Sequence, residues 1–248
     1  MDNAAYLAAV QRAVGRFADV TGSADLDARV PTCPDWDVAA LVGHVVGIHT
    51  WVRTLLDGAE GFGAFDDSFE RPERSPATFA AWYREIGEAM LADLSARDPG
   101  DPCWNFSGTN QTVGFWPRRQ MNEINVHAFD AALAARSEFA VQPLEAADGI
   151  DEMLLMFGPR LALRGIAPTL TAPITISPSD IDVSWTVLPP GDRGYAAVTD
   201  DSTGSVATLR GPASDIYFAM WNRLPYDRIT ITGDTDVAAA YLASRRVP

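Results

Sequence analysis

The sequence has 248 residues, of which 47% are hydrophobic and 21% are charged. These proportions are typical of chains that bury a core, and they exclude wholesale disorder. The 33 acidic and 19 basic residues give a net charge of −14. Nucleic acids and anionic membranes attract clustered cations, so neither is expected as a partner. Every basic residue is an arginine, which excludes chemistry that needs a lysine Schiff base or a phosphate-loop lysine.

The start of the chain and its cysteines indicate where the protein works. Met1–Tyr6 lacks an apolar leader core, and no apolar run approaches the roughly 20 residues that span a bilayer. Cys33 and Cys103 do not have the spacing of a metal or redox pair. We therefore expect reduced free thiols in a cytoplasmic protein. A monomer or a homodimer is expected.

Apolar residues at helical spacing predict four long helices in the first part of the chain. Their approximate ranges are 3–20, 37–57, 76–96 and 117–136. Asp37 and Ser75 suit N-caps, Gly58 suits a C′ position, and Pro117 suits a first turn. Long helices with polar connections favour a four-helix bundle.

The pattern changes in the second part of the chain. Residues 146–163 are amphipathic, and alternation with a period of two begins near Thr169. Four alternating segments are predicted as consecutive antiparallel strands, at 174–176, 183–187, 195–198 and 206–209. The remaining predicted elements are a helix over 213–223, a strand over 229–232 and a last helix capped by Asp234. The sequence thus predicts a two-domain α+β protein, with a helical bundle over 1–145 and a small antiparallel sheet with helices over 146–248.

Three histidines could serve as neutral ligands or bases: His44, His49 and His127. Glu123 and His127 are four residues apart, so they project from one face of the fourth helix. His44 lies on the apolar stripe of the second helix and points into the bundle. His44, Glu123 and His127 therefore form a candidate metal set with a fourth position for water or thiolate. His49 lies about 140° round the helix from His44 and is predicted outside this set.

Spacing alone leaves other interpretations open. A Glu-x-x-x-His pair is more often a surface pair, and a histidine on an apolar stripe is more often a core residue. Arg119, one turn before Glu123, either orients that carboxylate, meets an anionic substrate or forms a solvated pair. Trp36, Trp104 and Trp116 are predicted to pack rather than to line a site.

Several segments, in order, resemble the mycothiol-dependent maleylpyruvate isomerase family, part of the wider DinB-like group of metal-binding four-helix bundles. The similar segments near the second and fourth helices are Pro31–Val38, Leu41–His44, Phe115–Arg119 and Glu123–Ala131. In the C-terminal part they are Gly211–Asp215, Trp221–Pro225 and Ile231–Asp234.

The resemblance implies a divalent metal, zinc in the isomerase, bound by His44, Glu123 and His127. It also implies mycothiol as co-substrate. Asp130 matches the family's His-x-x-Asp pattern, so it belongs to the cofactor site, as we also expect for Arg119.

Some of these assignments have alternatives. Asp130 either acts behind the metal ligands or pairs with a neighbouring arginine. Arg223 matches an arginine implicated in the isomerase's activity and is the candidate catalytic residue, but a helix C-terminal cation explains it equally well. Asn222 departs from the family, which usually has glycine before that arginine.

The expected chemistry follows from a three-ligand zinc, which deprotonates a thiol bound at its open position. The predicted function is a metal- and mycothiol-dependent isomerase or S-transferase that attacks a small electrophile through a zinc-bound thiolate. The lysine-free composition agrees with a high-GC, actinobacterial source. A zinc-hydroxide hydrolase and a non-enzymatic metal-binding accessory or stress protein are the alternatives, and thiol dependence of turnover separates them.

Overall fold

The computed structural model describes residues 1–65, 68, 70–166, 168–191 and 197–244. The chain forms two compact units, Met1–Phe139 and Ala140–Pro248. The first unit is helical, and the second combines a sheet with helices. The predicted two-part α+β fold is confirmed.

Four long helices build the first unit. They are α1 (Asn3–Ser23), α2 (Val38–Leu56), α3 (Pro76–Ser95) and α4 (Phe115–Ala134). Both α1 and α2 pack against α3 and α4, which gives the predicted bundle. Pro117 lies in the first turn of α4, although the helix begins slightly earlier, at Phe115.

Capping residues determine where these helices begin and end. The Asp37 carboxylate accepts a hydrogen bond of 2.7 Å from the Ala40 backbone N–H, so it is the N-cap of α2, as predicted. Ser75 and Thr78 form a capping box at the start of α3. Gly58 follows α2 with a φ of +98°, a left-handed conformation that favours glycine. The two ends of α2 are therefore fixed by local signals.

Among the described helices, α2 alone is long and apolar enough to cross a membrane by length and composition. However, 67% of its most apolar stretch is buried inside the fold. Its side chains Leu41, Val45 and Val52 are fully buried. Such burial is typical of a helix in the core of a bundle.

The second unit begins with an interrupted helix. Its segments are α5 (Pro143–Glu152), a π-helical turn (Met153–Phe157) and α6 (Gly158–Leu163). α5 packs against α7 (Ala213–Met220). A Cβ at Gly149 would lie 2.2 Å from the Tyr217 ring, so only glycine allows this approach. The amphipathic segment predicted from residue 146 thus starts at Pro143 and belongs to the second unit.

The sheet is mixed. Its described strands are β1 (Ile174–Pro178), β2 (Trp185–Leu188), β3 (Ala197–Thr199), β4 (Ala207–Gly211) and β5 (Thr230–Gly233). They lie in the order β3-β2-β1-β4-β5. Three of the neighbouring pairs are antiparallel, whereas β1 and β4 are parallel. The first two residues of the strand predicted at 195–198 lie outside the described residues.

The prediction of consecutive antiparallel pairing is wrong for β3 and β4, which are not neighbours. Ile174 of β1 pairs with Val187 on one side and with Ala207 on the other. Alternation shows which side chains share a face of a strand, but it does not identify the neighbouring strand. A parallel pair needs a crossover connection, and the chain from β2 through β3 supplies it.

α7 is followed by a residue in the left-handed conformation. Asn222 has a φ of +57°, at the position where the resembled family usually has glycine. Its side-chain amide donates to the backbone carbonyls of Leu242 and Ser244, over 3.5 and 3.2 Å, at the end of α8 (Thr235–Ala243). Asparagine adopts this conformation more readily than other non-glycine residues. Asparagine in place of glycine therefore keeps the backbone turn and adds hydrogen bonds that connect the end of α7 with the end of α8.

His49 is a core residue of the bundle. It is fully buried, with Nδ1 2.9 Å from Gln120 Oε1 and Nε2 3.5 Å from the Tyr83 hydroxyl. Burial lowers the pKa of His49 from 6.5 to about 4, and the hydrogen bond with Gln120 offsets only part of that effect. The imidazole is therefore neutral at physiological pH.

The Asn222 turn predicts different effects for two substitutions. Asn222→Ala loses both the left-handed preference and the amide bonds, so the free energy of unfolding should fall by about 1–2 kcal/mol. Asn222→Gly keeps the backbone freedom and should lose less. Urea unfolding followed by circular dichroism measures both, and an alanine variant as stable as the wild type would contradict this account.

His49 predicts a pH dependence of stability. Between pH 6.5 and about 4 the unfolded chain protonates His49 and the folded chain does not, so stability falls as the pH falls. The expected loss is roughly 2 kcal/mol between about pH 7 and 5. Urea unfolding of metal-free wild type and His49→Gln over this range isolates the effect, because the other groups titrate in both proteins. Identical pH slopes would show that His49 is not held neutral.

Candidate metal centre

Three side chains from two helices converge in the first unit. His44 extends from α2, and Glu123 and His127 extend from successive turns of α4. Glu123 Oε1 lies 3.4 Å from His44 Nε2 and 3.2 Å from His127 Nε2. The three potential ligand atoms all lie within 4.8 Å of one another. The structure thus brings together the three residues proposed as metal ligands.

The separation of these atoms suits a small divalent cation. Zinc bonds to nitrogen and oxygen of about 2.0–2.2 Å place neighbouring tetrahedral ligands roughly 3.3–3.6 Å apart. The 3.4 and 3.2 Å distances to Glu123 Oε1 are close to that length. Two imidazole nitrogens and a carboxylate oxygen are also donors that zinc and similar metals accept. The Glu123 oxygen and each of the two imidazole nitrogens therefore have the spacing of neighbouring ligands in a tetrahedral metal centre.

The candidate centre is more open on one side than on the other. The His44 and Glu123 side chains are 27% and 19% exposed, whereas that of His127 is 9% exposed. The His44 side of the centre is therefore the less enclosed one. Catalytic metal sites keep one position open for an exchangeable ligand, and this side is the candidate for it.

A buried arginine holds the second oxygen of Glu123. Arg119 Nη2 lies 2.6 Å from Glu123 Oε2, and the Arg119 side chain is only 4% exposed. This charge-assisted bond spans one turn of α4 and leaves Oε1 directed at the two histidines. Of the alternatives weighed for Arg119, its burial is inconsistent with a solvated pair.

A second buried carboxylate orients His127. Asp130 is fully buried, and its Oδ2 lies 3.0 Å from His127 Nδ1. Because an ionised carboxylate only accepts hydrogen bonds, Nδ1 carries a proton and Nε2 faces Glu123. The Thr32 hydroxyl donates to the other oxygen, Oδ1, over 2.5 Å. The Cys33 thiol lies 3.9 Å from Oδ2.

These contacts shift the ionisation of the ligands in the metal-free chain. Burial raises the pKa of Glu123, but hydrogen bonds with His127 and His44 and the charge of Arg119 hold it well below its usual value. Burial lowers the pKa of His127, yet the bonds with Asp130 and Glu123 raise it to about 9. At neutral pH the centre therefore contains a carboxylate beside a protonated imidazole.

Trp36 packs against the core of the first unit, as predicted, but its ring also lines the centre, which the sequence analysis did not predict. Its ring centroid lies 4.7 Å from that of His44 and 6.2 Å from that of His127. Thr32 is the other contributor that the sequence analysis missed. Both residues belong to the segment Pro31–Trp36. This segment lies directly before Asp37, the N-cap of the helix that carries His44, and that position could have indicated that Thr32 and Trp36 lie near the centre.

Other predicted residues lie outside the cluster of three ligands. Trp104 and Trp116 pack against Trp51, with ring centroids 6.1 and 5.5 Å away, as predicted. The fully buried His49 is not part of the cluster found among the described residues.

The remaining candidates have different surroundings. Neither Cys33 nor Cys103 forms a disulfide. The Cys103 thiol lies 3.6 Å from the Leu55 carbonyl. Arg223 belongs to the second unit. It is 6% exposed, and its Nη1 donates to the Trp221 carbonyl over 3.0 Å.

Solved structures share this fold. The crystal structure of the mycothiol-dependent maleylpyruvate isomerase matches with a TM-score of 0.60 at 14% identity, over 94% of this chain and 93% of that chain. A histidine-to-alanine mutant of that isomerase matches with a TM-score of 0.59 at 12% identity, over the same shares. No curated protein sequence matches the chain.

Two family domains also match the sequence, in order. Residues 7–132 match the mycothiol maleylpyruvate isomerase N-terminal domain, and residues 146–240 match the C-terminal domain of the same family. The two matches together account for most of the chain, which therefore belongs to the mycothiol-dependent maleylpyruvate isomerase family.

Proposed function

We propose that the protein is a metal- and mycothiol-dependent isomerase or S-transferase that acts on a small electrophile. One observation carries the proposal in this family member: His44, Glu123 and His127 converge with their ligand atoms at coordination spacing. Arg119 and Asp130 each hold one of these ligands from a buried position. Buried partners of this kind are typical of metal centres.

In this proposal zinc is held by His44 Nε2, Glu123 Oε1 and His127 Nε2. Once bound, such a metal lowers the pKa of a thiol beside it and so supplies a nucleophilic thiolate at neutral pH. Asp130 keeps the His127 ring in the orientation that presents Nε2. Arg119 helps to keep Glu123 ionised and binds Oε2, so Oε1 would remain for the metal.

The proposed reaction is reversible addition of the thiol to an activated double bond. The sulfur forms a bond to one carbon, and the displaced electron pair moves into the neighbouring electron-withdrawing group. The former double bond rotates, the pair returns, and the C–S bond breaks to release the isomer and the thiolate. If the adduct takes up a proton instead, the C–S bond remains and the outcome is transfer. We assign Arg223 to the anionic group of the substrate or to the polar groups of the thiol.

We further propose a cytoplasmic protein, either monomeric or homodimeric, with no nucleic-acid or membrane partner. The net charge of −14 supports the exclusion of anionic polymers and surfaces. The burial of α2 supports a role in the bundle core rather than in a membrane. The two cysteines form no disulfide, which suits a reducing compartment.

Metal content tests the assigned ligands. His44→Ala, Glu123→Ala and His127→Ala each remove one ligand atom, so each purified variant should hold well below one divalent metal per chain by elemental mass spectrometry. His49→Gln and Arg223→Ala serve as controls and should keep the wild-type content, although Arg223→Ala should lower turnover. Full metal content in all three ligand variants would place the centre elsewhere.

Thiol dependence tests the reaction. With maleylpyruvate as the first substrate, turnover should need both metal and mycothiol, and it should fall sharply in Glu123→Ala. Calorimetric titration in buffers of different ionisation enthalpy should detect release of about one proton per thiol bound. Equal activity without mycothiol would favour the zinc-hydroxide hydrolase. Absence of turnover with both present, on a panel of electrophiles, would favour the accessory or stress protein.

A further inference from the structure

The buried Asp130 carboxylate receives hydrogen bonds on both of its oxygens. His127 Nδ1 lies 3.0 Å from Oδ2, and the Thr32 hydroxyl lies 2.5 Å from Oδ1. Asp130 has no exposed surface, so water does not reach its oxygens freely. A hydrogen bond to a carboxylate in such surroundings is stronger than one between neutral groups.

Thr32 belongs to a loop whose conformation is stabilised by hydrogen bonds between its own backbone groups. The Val30 N–H donates to the Trp36 carbonyl over 3.1 Å, and the Trp36 N–H donates to the Cys33 carbonyl over 2.9 Å. The same loop places the Trp36 ring against His44. One segment therefore contacts both histidines through the Trp36 ring, and it reaches His127 a second time through the hydrogen bonds of Asp130.

We propose that Thr32 is a positioning residue for the metal ligand His127 and acts through Asp130. The inference rests on the metal centre proposed above. With Oδ1 occupied by the Thr32 hydroxyl, the carboxylate plane is fixed and Oδ2 points at the imidazole. Nδ1 then keeps its proton, and the Nε2 lone pair is directed toward Glu123 Oε1, where the metal is assigned.

Substitutions that remove only the Thr32 hydroxyl distinguish its hydrogen bond to Asp130 from the packing of its side chain. Thr32→Val keeps the shape of the side chain and leaves Oδ1 without this donor, while Thr32→Ser restores the donor without the methyl group. Thr50 provides a matched control in the same unit, because its hydroxyl donates to the Val46 carbonyl of its own helix over 2.9 Å. Thr50→Val therefore makes the same chemical change away from Asp130.

The experiment measures zinc affinity by competition with a chromogenic chelator for the full-length wild type and the three variants. Thr32→Val should bind zinc about 10- to 100-fold more weakly. Thr32→Ser and Thr50→Val should stay within about threefold of the wild type. In nitrogen-correlated spectra of the zinc-loaded proteins, the His127 Nδ1–H signal should shift in Thr32→Val and return to its wild-type position in Thr32→Ser.

The other outcomes are equally decisive. Wild-type zinc affinity or an unchanged His127 signal in Thr32→Val would overturn the inference and leave the metal centre standing. Equal losses in Thr32→Val and Thr50→Val would show general destabilisation and would also overturn it. A wild-type chain that binds no zinc would overturn the metal centre and the inference together.

Discussion

The candidate centre depends on the contacts of the Glu123 carboxylate. One oxygen faces His44 and His127, and the other is held by Arg119. A largely buried carboxylate costs several kcal/mol unless such partners are in place. Because one partner comes from α2 and the others from α4, the full set of partners forms only when these helices keep their relative rotation. The apolar stripe of α2, which packs in the bundle core, favours that rotation.

The convergence of His44, Glu123 and His127 could be predicted from the sequence because their arrangement is mostly local. Glu123 and His127 share a face by helical spacing alone, and the apolar neighbours of His44 determine its direction. Thr32 is different, since it is 98 residues from Asp130 in the chain. The sequence predicts only a packing role for Trp36, and its contact with His44 becomes visible only in the folded bundle. Contacts of this kind depend on tertiary packing, which periodicity does not describe.

The same distinction applies to the second unit. Alternation located the strands, but the parallel pairing of β1 with β4 arises from the crossover and is not encoded in either strand. The Asn222 turn shows that a residue that departs from a family pattern can keep the backbone conformation for which the usual residue is suited. Its left-handed backbone explains the usual glycine, and its amide bonds to the end of α8 explain why asparagine is accepted.

The ionisation of the centre links these observations to chemistry. In the metal-free chain the proton on His127, whose pKa is raised to about 9, places a positive charge between Glu123 and Asp130, and Arg119 adds a second one beside Glu123. In the proposed centre a divalent cation would take the place of the proton on Nε2, and Asp130 would keep the proton on Nδ1. Proton and metal would then compete for one position, so metal affinity should weaken as the pH falls. In either state each carboxylate would have a positive charge beside it, which offsets the cost of removing that carboxylate from water.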